Sequence, residues 1–144
     1  MQGKIVILTG ANSGVGKQTT LELAKRGARV VMACRDAARG EEAKAEILAT
    51  EGVSGELEVR TVDLASFDSI RAFAEKANAD LPRIDVLVNN AGIFPQKAAK
   101  TVDGFESQFG VNHLGSFLLT NLLLDKLRES APSRIVHLLS LIHI

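Results

Sequence analysis

The stretch LTGANSGVGK, residues 8–17, decides the fold because its glycines join a strand-like run to a helix-like one. Before it, residues 4–8 (KIVIL) form a short run rich in β-branched side chains, which is typical of a strand buried on both faces. After it, small and apolar residues recur every four positions from Val15 to Gly27, the spacing of one helix face. The sequence therefore predicts a strand, a tight turn and a helix whose free N–H groups face a phosphate.

Two common phosphate loops do not fit this stretch. A Walker loop places four residues between its glycine and the Gly-Lys pair, whereas five separate Gly10 from Gly16, and Gln18 stands where a hydroxyl should hold Mg²⁺. This spacing counts against a nucleotide hydrolase, and the GxGxxG pattern fails as well. What remains is Thr-Gly-x-x-x-Gly-x-Gly, in which Gly10 permits the turn, Gly14 admits a ligand and Gly16 allows close helix packing. A dinucleotide is favoured, with a glycine-rich turn that binds nothing as the alternative.

The rest of the chain alternates strand and helix. Further strands are predicted within residues 28–34, 57–62, 84–88 and 134–139. Asp36 and Ser66 are expected to cap the second and third helices, and a long helix is expected from about Phe105 to Leu127. Strict alternation predicts an α/β fold with a doubly wound parallel sheet in the order 3-2-1-4-5. Ligands of such sheets bind beyond the carboxyl ends of the strands, beside the first strand.

Composition narrows the class of protein. The 144 residues suffice for one domain, and 17 basic against 17 acidic residues indicate neither nucleic acid nor an anionic membrane as a partner. A single cysteine, Cys34, excludes an internal disulfide and suits a reducing compartment. Residues 114–124 are too short and too polar to span a bilayer, and no signal-peptide pattern is present. We expect a cytoplasmic protein without a transmembrane segment or a metal site.

Several motifs occur together in the order of one family. Besides the loop of residues 9–16, the chain has Asp63-Leu64 after the third strand, NNAG at residues 89–92 after the fourth, and Asn112 in the long helix. From about Lys4 to Val136 the chain thus resembles the short-chain dehydrogenase/reductase family, which implies a Rossmann fold. ACRD at residues 33–36 and DGFESQFGVNHLGSFLLTNLLL at residues 103–124 resemble the retinol-dehydrogenase-like branch. Protochlorophyllide reductases share part of the latter segment.

The resemblance implies a set of cofactor-binding residues. Asp63 corresponds to a residue that hydrogen-bonds the adenine amino group, with Leu64 against the ring, although a lone Asp there is also common in turns. Asn90 would hold the nicotinamide-side ribose, tie strands together, or do both. The implied cofactor-binding set is Gly10, Asn12, Ser13, Gly14, Val15, Gly16, Arg35, Asp63, Leu64, Asn90, Ala91 and Gly92.

Arg35 bears on the choice of cofactor. It ends the second strand, about twenty residues beyond the loop, where NAD sites place a carboxylate and NADP sites an Arg. A guanidinium can donate two parallel hydrogen bonds to the 2′-phosphate of NADP, which NAD lacks, so NADP is favoured over NAD. The alternatives are that Arg35 is a solvated surface charge, and that Asp36, instead of only capping a helix, competes for the ribose.

The implied reaction is hydride transfer between the nicotinamide and a carbonyl or alcohol, such as retinal or another lipophilic aldehyde or ketone. In the family a Ser binds the reacting oxygen, a Tyr with a Lys four residues later moves the proton, and an Asn, here Asn112, holds a relay water. Ser140 falls at the position of the Ser, but the chain contains no Tyr. A homodimer is expected by analogy with the family.

The end of the chain differs from the family pattern. Residues 139–144 (LSLIHI) resemble one reading frame of a transposon-end adapter used in DNA library preparation. We therefore expect residues 1–138 to be the N-terminal part of a truncated dinucleotide-binding domain and residues 139–144 to be a non-native tail. On that interpretation Ser140 matches by accident. The alternative functions are a non-catalytic dinucleotide-binding or interaction module and a protochlorophyllide-reductase-like enzyme.

Overall fold

The computed structural model of the protein describes residues 1–139 and contains one parallel sheet. The sheet order is β3-β2-β1-β4-β5, which confirms the doubly wound α/β fold and its predicted strand order. The strands are β1 (Ile5–Thr9), β2 (Arg29–Cys34), β3 (Leu57–Thr61), β4 (Val86–Asn89) and β5 (Arg134–His137).

The central strand β1 places the glycine loop at the switch point. Ile7 is paired with Val31 of β2 on one side and Leu87 of β4 on the other. All five residues of β1 are buried, as its continuous apolar run predicts. Because neighbouring strands run in the same direction, their carboxyl ends meet at one edge of the sheet, beside the loop that follows Thr9.

Two helices cover each face of the sheet. Helices α1 (Gly14–Lys25) and α2 (Ala37–Leu48) pack on the face formed by Val6, Leu8, Val30 and Met32. The opposite face packs against α3 (Phe67–Asp80) and against the helical region that follows residue 106. No helix within residues 1–139 combines the length and the apolar character needed to cross a membrane.

The predicted helix caps are present. The Asp36 carboxylate accepts a hydrogen bond from the Arg39 N–H at 3.1 Å, and the Ser66 hydroxyl accepts one from the Ser69 N–H at 3.4 Å. The face expected for α1 was wrong: its buried residues are Gly16, Thr20 and Ala24, one position later along the chain. Val15 is 61% exposed, because the small residues rather than the larger apolar ones meet the sheet.

The predicted long helix is divided into four pieces. They are α4 (Ser107–Phe109), a π-helical segment (Gly110–Gly115), α5 (Ser116–Leu122) and α6 (Leu124–Glu129). The start lies after Phe105 because the Glu106 carboxylate accepts hydrogen bonds from the N–H groups of Gln108 and Phe109, both at 2.8 Å. At Gly115 the helix approaches the chain after β3 so closely that a Cβ would lie 2.6 Å from the Leu64 carbonyl oxygen.

Candidate functional site

A cleft of about 440 Å³ lies beyond the carboxyl ends of β1, β2, β3 and β4. All of the predicted cofactor-binding residues except Gly14 line it. Gly14 lies at the start of α1, beside a shallow groove between α1 and α2. The cleft is lined by Thr9, Gly10, Asn12, Ser13, Val15, Gly16, Ala33, Arg35, Asp36, Arg39, Val62, Asp63, Leu64, Asn90, Ala91, Gly92, Ile93, Val111 and Leu138.

The glycine loop is shaped by backbone contacts that side chains would prevent. Gly10 has a φ of +67°, and a Cβ there would lie 3.0 Å from the Cα of Ala91. A Cβ at Gly16 would collide with the Gly10 carbonyl oxygen and would lie 2.6 Å from the Asn90 Nδ2 atom. Gly16 therefore allows α1 to pack closely on the loop and on Asn90.

Hydrogen bonds join the glycine loop to the segment after β4. The Asn90 Nδ2 group donates to the Thr9 carbonyl oxygen at 2.8 Å. The Thr9 hydroxyl oxygen accepts from the N–H groups of Asn90 and Ala91, both at 3.0 Å. Asn90 thus ties two strand ends together, as the structural alternative expected, while the same residue lines the cleft.

Asn112 supports the cleft through a neighbouring residue. Its Oδ1 accepts from the Ile93 N–H at 2.8 Å, and its Nδ2 donates to the Ile93 carbonyl oxygen at 2.9 Å. Ile93 lines the cleft, whereas Asn112 is an exposed residue of the π-helical segment. Both polar atoms of the Asn112 side chain are thus hydrogen-bonded to the chain after β4, and these bonds connect the π-helical segment to that part of the chain.

Two arginines and a carboxylate lie at the β2 end of the cleft. Arg35 and Arg39 both line it and are both exposed, and neither forms an ion pair with any residue of the described range 1–139. Asp36 lies between them in the sequence, and its Oδ1 atom is held by the Arg39 N–H. This end of the cleft is therefore suited to an anion.

Asp63 and its neighbours form another wall of the cleft. The Asp63 Oδ1 atom accepts from the Ala65 N–H at 2.9 Å, so Asp63 is the turn residue that its position after a strand predicted. The Ser69 hydroxyl oxygen accepts from the Asp63 N–H at 2.9 Å, which fixes the turn on α3. Val62, Leu64 and Val111 contribute apolar lining beside the carboxylate.

Cys34 is a buried residue at the end of β2. It is 1% exposed, and its burial raises the pKa of the thiol to about 11. Hydrogen bonds from the Ala11 and Asn12 N–H groups lower the pKa, but their effect is smaller than that of burial. A thiol with that pKa is almost entirely protonated near neutrality, so Cys34 is not suited to act as a nucleophile. It packs beneath the glycine loop, in agreement with its interpretation as a small apolar residue.

Some residues fell outside the expected set. Ser140 and the rest of the predicted tail after Leu139 lie outside the described residues. The predicted cofactor-binding set lacks eight of the lining residues, namely Thr9, Ala33, Asp36, Arg39, Val62, Ile93, Val111 and Leu138. Arg39 had a detectable signal, because it lies one helical turn after the Asp36 cap and so returns to the start of the helix. Thr9 belongs to the loop motif itself, whereas Ile93 and Val111 required knowledge of which chain segments meet.

The comparison with protein families gives the class of the chain. A model of the family described as short chain dehydrogenase matches residues 4–143. The chain therefore belongs to the short chain dehydrogenase family, and its sheet order and cleft are those expected of that fold.

Within this family the chain resembles retinol dehydrogenases. It is 54% identical to mouse retinol dehydrogenase 12 over 142 residues, covering 99% of this chain and 45% of the relative. It is 58% identical to human retinol dehydrogenase 14 over 148 residues, covering 94% of this chain and 44% of the relative. The chain thus spans a little under half the length of these relatives.

Two solved structures are similar to the whole fold. A metagenomic short-chain oxidoreductase in complex with NADP is 31% identical, with a TM-score of 0.83 over 97% of this chain and 63% of that one. A protein of Mycobacterium paratuberculosis is 50% identical, with a TM-score of 0.76 over 87% of this chain and 43% of that one.

Proposed function

We propose that this chain is the cofactor-binding part of an NADP-dependent oxidoreductase that acts on a carbonyl or alcohol. The observation that carries the proposal is that residues of the glycine loop, Arg35 and the segment after β4 line one cleft. The metagenomic short-chain oxidoreductase in complex with NADP, which is 31% identical to this chain, supports this assignment by similarity.

The residues of the cleft fit a dinucleotide in several ways. Gly14 lies next to the cleft residues Ser13 and Val15, at the start of α1. It has a φ of +50° and leaves open space where a Cβ would stand, so a phosphate could approach the first turn of α1. Gly10, Asn12, Ser13, Val15 and Gly16 line the cleft beside that helix start. The bound nicotinamide would supply the hydride chemistry, and the protein would supply orientation.

The arrangement around Arg35 supports NADP over NAD. Asp36 has one carboxylate oxygen engaged in capping α2, which reduces its capacity to bind a ribose 2′-hydroxyl. Arg35 lines the cleft and has no acidic partner within the described part of the chain, so its guanidinium is available to a 2′-phosphate.

The remaining cofactor roles are proposed by position. Asp63 would bind the adenine amino group through its second carboxylate oxygen, with Leu64 against the ring. Asn90, Ala91 and Gly92 would hold the ribose on the nicotinamide side. Each of these residues lines the same cleft and is fixed by backbone hydrogen bonds or close packing, which preorganises the site.

For the substrate, we infer a lipophilic aldehyde, ketone or alcohol such as retinal from the similarity to retinol dehydrogenases. Proton transfer needs a titratable group, and the chain contains no Tyr. Asn112 would act by fixing Ile93 and, as the family resemblance implies, by holding a relay water.

We also propose that the whole protein is a cytoplasmic homodimer. Phe109, His113 and Phe117 form an exposed stripe along α4, the π-helical segment and α5. The ring centroids of Phe109 and His113 are 5.3 Å apart, and those of His113 and Phe117 are 6.3 Å apart. Phe109 is 52% exposed and Phe117 is 60% exposed. An apolar stripe with helical spacing suits pairing with a second copy. Sedimentation of the wild type and Phe117→Glu should show a dimer and a monomer, respectively.

A titration tests the cofactor proposal. NADPH should bind more tightly than NADH to the 144-residue chain, as measured by calorimetry at fixed ionic strength. Arg35→Ala should weaken NADPH by about tenfold or more and leave NADH nearly unchanged, since a hydrogen bond to a charged group contributes about 1.5–3 kcal/mol. Absence of binding by both nucleotides would reject the proposal, and equal losses for both would make Arg35 structural.

A further inference from the structure

The loop of residues 93–106 connects two walls of the cleft. It begins at Ile93, whose backbone is hydrogen-bonded by Asn112, and it ends before α4. Further along, the Val102 N–H donates to the Ala65 carbonyl oxygen at 2.9 Å, in the turn that follows β3. The loop is therefore attached to the nicotinamide side of the proposed site at one end and to the adenine side near the other.

Asp103 attaches this loop to the start of α3. Its Oδ2 atom accepts a hydrogen bond from the Phe67 N–H at 2.9 Å. Phe67 is the first residue of α3, so its N–H has no partner within the helix. The ring centroids of Phe67 and Phe105 lie 5.6 Å apart, which adds an aromatic contact between the same two segments. Asp103 is thus a second cap of α3, supplied by a distant part of the chain beside the local cap Ser66.

The turn between β3 and α3 carries Asp63, the residue proposed to bind the adenine amino group. The Asp63 Oδ1 atom accepts from the Ala65 N–H, and the Asp63 N–H donates to the Ser69 hydroxyl oxygen in α3, both at 2.9 Å. The Ser66 N–H donates to the Asp63 carbonyl oxygen at 3.1 Å. Because these bonds fix the carboxylate relative to Ala65 and to α3, its direction depends on where those two lie.

We propose that Asp103 is a positioning residue for the cofactor site, which keeps the Asp63 carboxylate directed at the adenine amino group by holding the start of α3. The inference rests on the proposed function and deepens it. Asp103 is exposed and is not one of the residues that line the cleft, so it acts through Phe67 and the turn before it rather than by contact with the cofactor.

The test compares NADPH with its analogue in which hypoxanthine replaces adenine. The analogue has a carbonyl oxygen in place of the amino group, so it cannot donate a hydrogen bond there to the Asp63 carboxylate. In calorimetric titrations of the 144-residue chain, we expect the wild type to bind NADPH about tenfold or more tighter than the analogue. Asp103→Ala should reduce this ratio by about three- to fivefold, the scale of one lost capping interaction, through a loss of NADPH affinity.

Two further variants separate positioning from a general effect on stability. Asp103→Asn keeps an oxygen acceptor for the Phe67 N–H and should restore most of the ratio. Asp68→Ala is the matched control, because Asp68 is also a carboxylate in the first turn of α3, but its side chain is 99% exposed and pairs with Arg71 of the same helix at 3.8 Å. It should leave the ratio unchanged. Circular dichroism melts record the stability of each variant.

The outcomes separate this inference from the proposed function. If Asp103→Ala melts at a lower temperature but keeps the wild-type ratio, Asp103 caps α3 without positioning Asp63, and the inference is overturned while the dinucleotide site stands. Equal binding of NADPH and the analogue by the wild type would also overturn it, because the adenine amino group would then have no partner to position. If the wild type binds neither ligand, the proposed function fails and the inference fails with it.

Discussion

The Asn112 side chain hydrogen-bonds both backbone groups of Ile93, with distances of 2.8 Å to the N–H and 2.9 Å to the carbonyl oxygen. The N–H and the carbonyl oxygen of Ile93 would otherwise need hydrogen-bond partners on a neighbouring strand or in water. The Asn112 amide provides both partners. Ile93 follows NNAG and lines the cleft, so one exposed side chain connects the π-helical segment to the cleft wall.

Asn112→Ala should therefore loosen the segment after β4. Loss of two hydrogen bonds is expected to lower the free energy of unfolding by about 1–2 kcal/mol. Hydrogen exchange at the Ile93 amide should accelerate more than exchange within β1. The matched control is Asn121→Ala, because Asn121 is also exposed but bonds only its own helix, at the Phe117 carbonyl oxygen. Equal effects of the two variants on Ile93 exchange would contradict this role.

Gly14→Val tests the loop as a phosphate site. Its φ of +50° strains any β-branched residue by about 1–2 kcal/mol, and the side chain would occupy the open space at the start of α1. NADPH affinity should collapse while the fold largely survives. Gly52→Val is the control, because Gly52 has a φ of +84° and similarly open surroundings but lies outside the glycine loop, after α2. If both variants bind NADPH like the wild type, the loop is not the phosphate site.

Asp36→Ala separates capping from ribose binding. The loss of the cap should lower the free energy of unfolding by about 1 kcal/mol, similar to the loss caused by Ser66→Ala at the start of α3. NADH affinity should stay within twofold of the wild type, as measured by calorimetry. A large loss of NADH affinity in Asp36→Ala alone would show that this carboxylate binds the ribose.

The sequence predicted the fold well because the residues that end strands and begin helices act locally. Gly10 ends the first strand, Asp36 and Ser66 cap helices, and each signal acts within a few residues of the chain. The division of the long helix was not predicted. Gly115 lies against Leu64 in the structure, and helical periodicity in the sequence gives no information about such a distant contact. The buried face of α1 was misplaced for the same reason.

Within the cleft, residues that belong to short motifs were predictable and isolated residues were not. The loop glycines, Asp63-Leu64 and residues 89–92 form such motifs, and Arg35 stands at a typical distance beyond the loop. Ile93 and Val111 reach the cleft only because the π-helical segment meets the chain after β4. Arg39 lies one turn after the Asp36 cap and lines the cleft, so its position could have been predicted from that spacing.

Asp85 should make stability depend on pH. It is 3% exposed; burial by itself raises its pKa, but hydrogen bonds from the Ile5 N–H, Lys4 and Arg83 outweigh that effect and lower the pKa. The stabilisation is complete above the unfolded-state pKa of about 3.9 and is lost as the pH falls through the lower folded-state pKa.

Asp85→Asn should lower the free energy of unfolding at pH 7 by about 1–3 kcal/mol and flatten its fall in acid. Urea titrations between pH 7 and pH 3 measure both effects. Asp125→Asn serves as the control, because Asp125 is 90% exposed in its ion pair with Arg128. The same acid profile in Asp85→Asn and in the wild type would rule out this origin of the pH dependence.

The 144-residue chain should bind NADPH without turning over a substrate at an appreciable rate. Proton transfer from a positioned side chain contributes about 10²–10⁴-fold to a rate, and the chain has no Tyr to provide it. Asn112 cannot substitute, since an amide does not exchange protons usefully near pH 7. Lys17 forms an ion pair with Glu46, and Lys126 donates to the Leu81 carbonyl oxygen at 3.2 Å, so neither lysine is placed at the cleft.

The measurement follows NADPH absorbance with retinal and with simple aldehydes and ketones. The control is a longer version of the protein that carries the Tyr-x-x-x-Lys segment of the family, assayed at the same NADPH saturation. We expect turnover only in the longer protein, with NADPH affinities that differ much less than the rates, because the cleft and its arginines are common to both. Comparable turnover by the two proteins would refute the assigned mechanism, since no proton donor of the required kind exists in the shorter one.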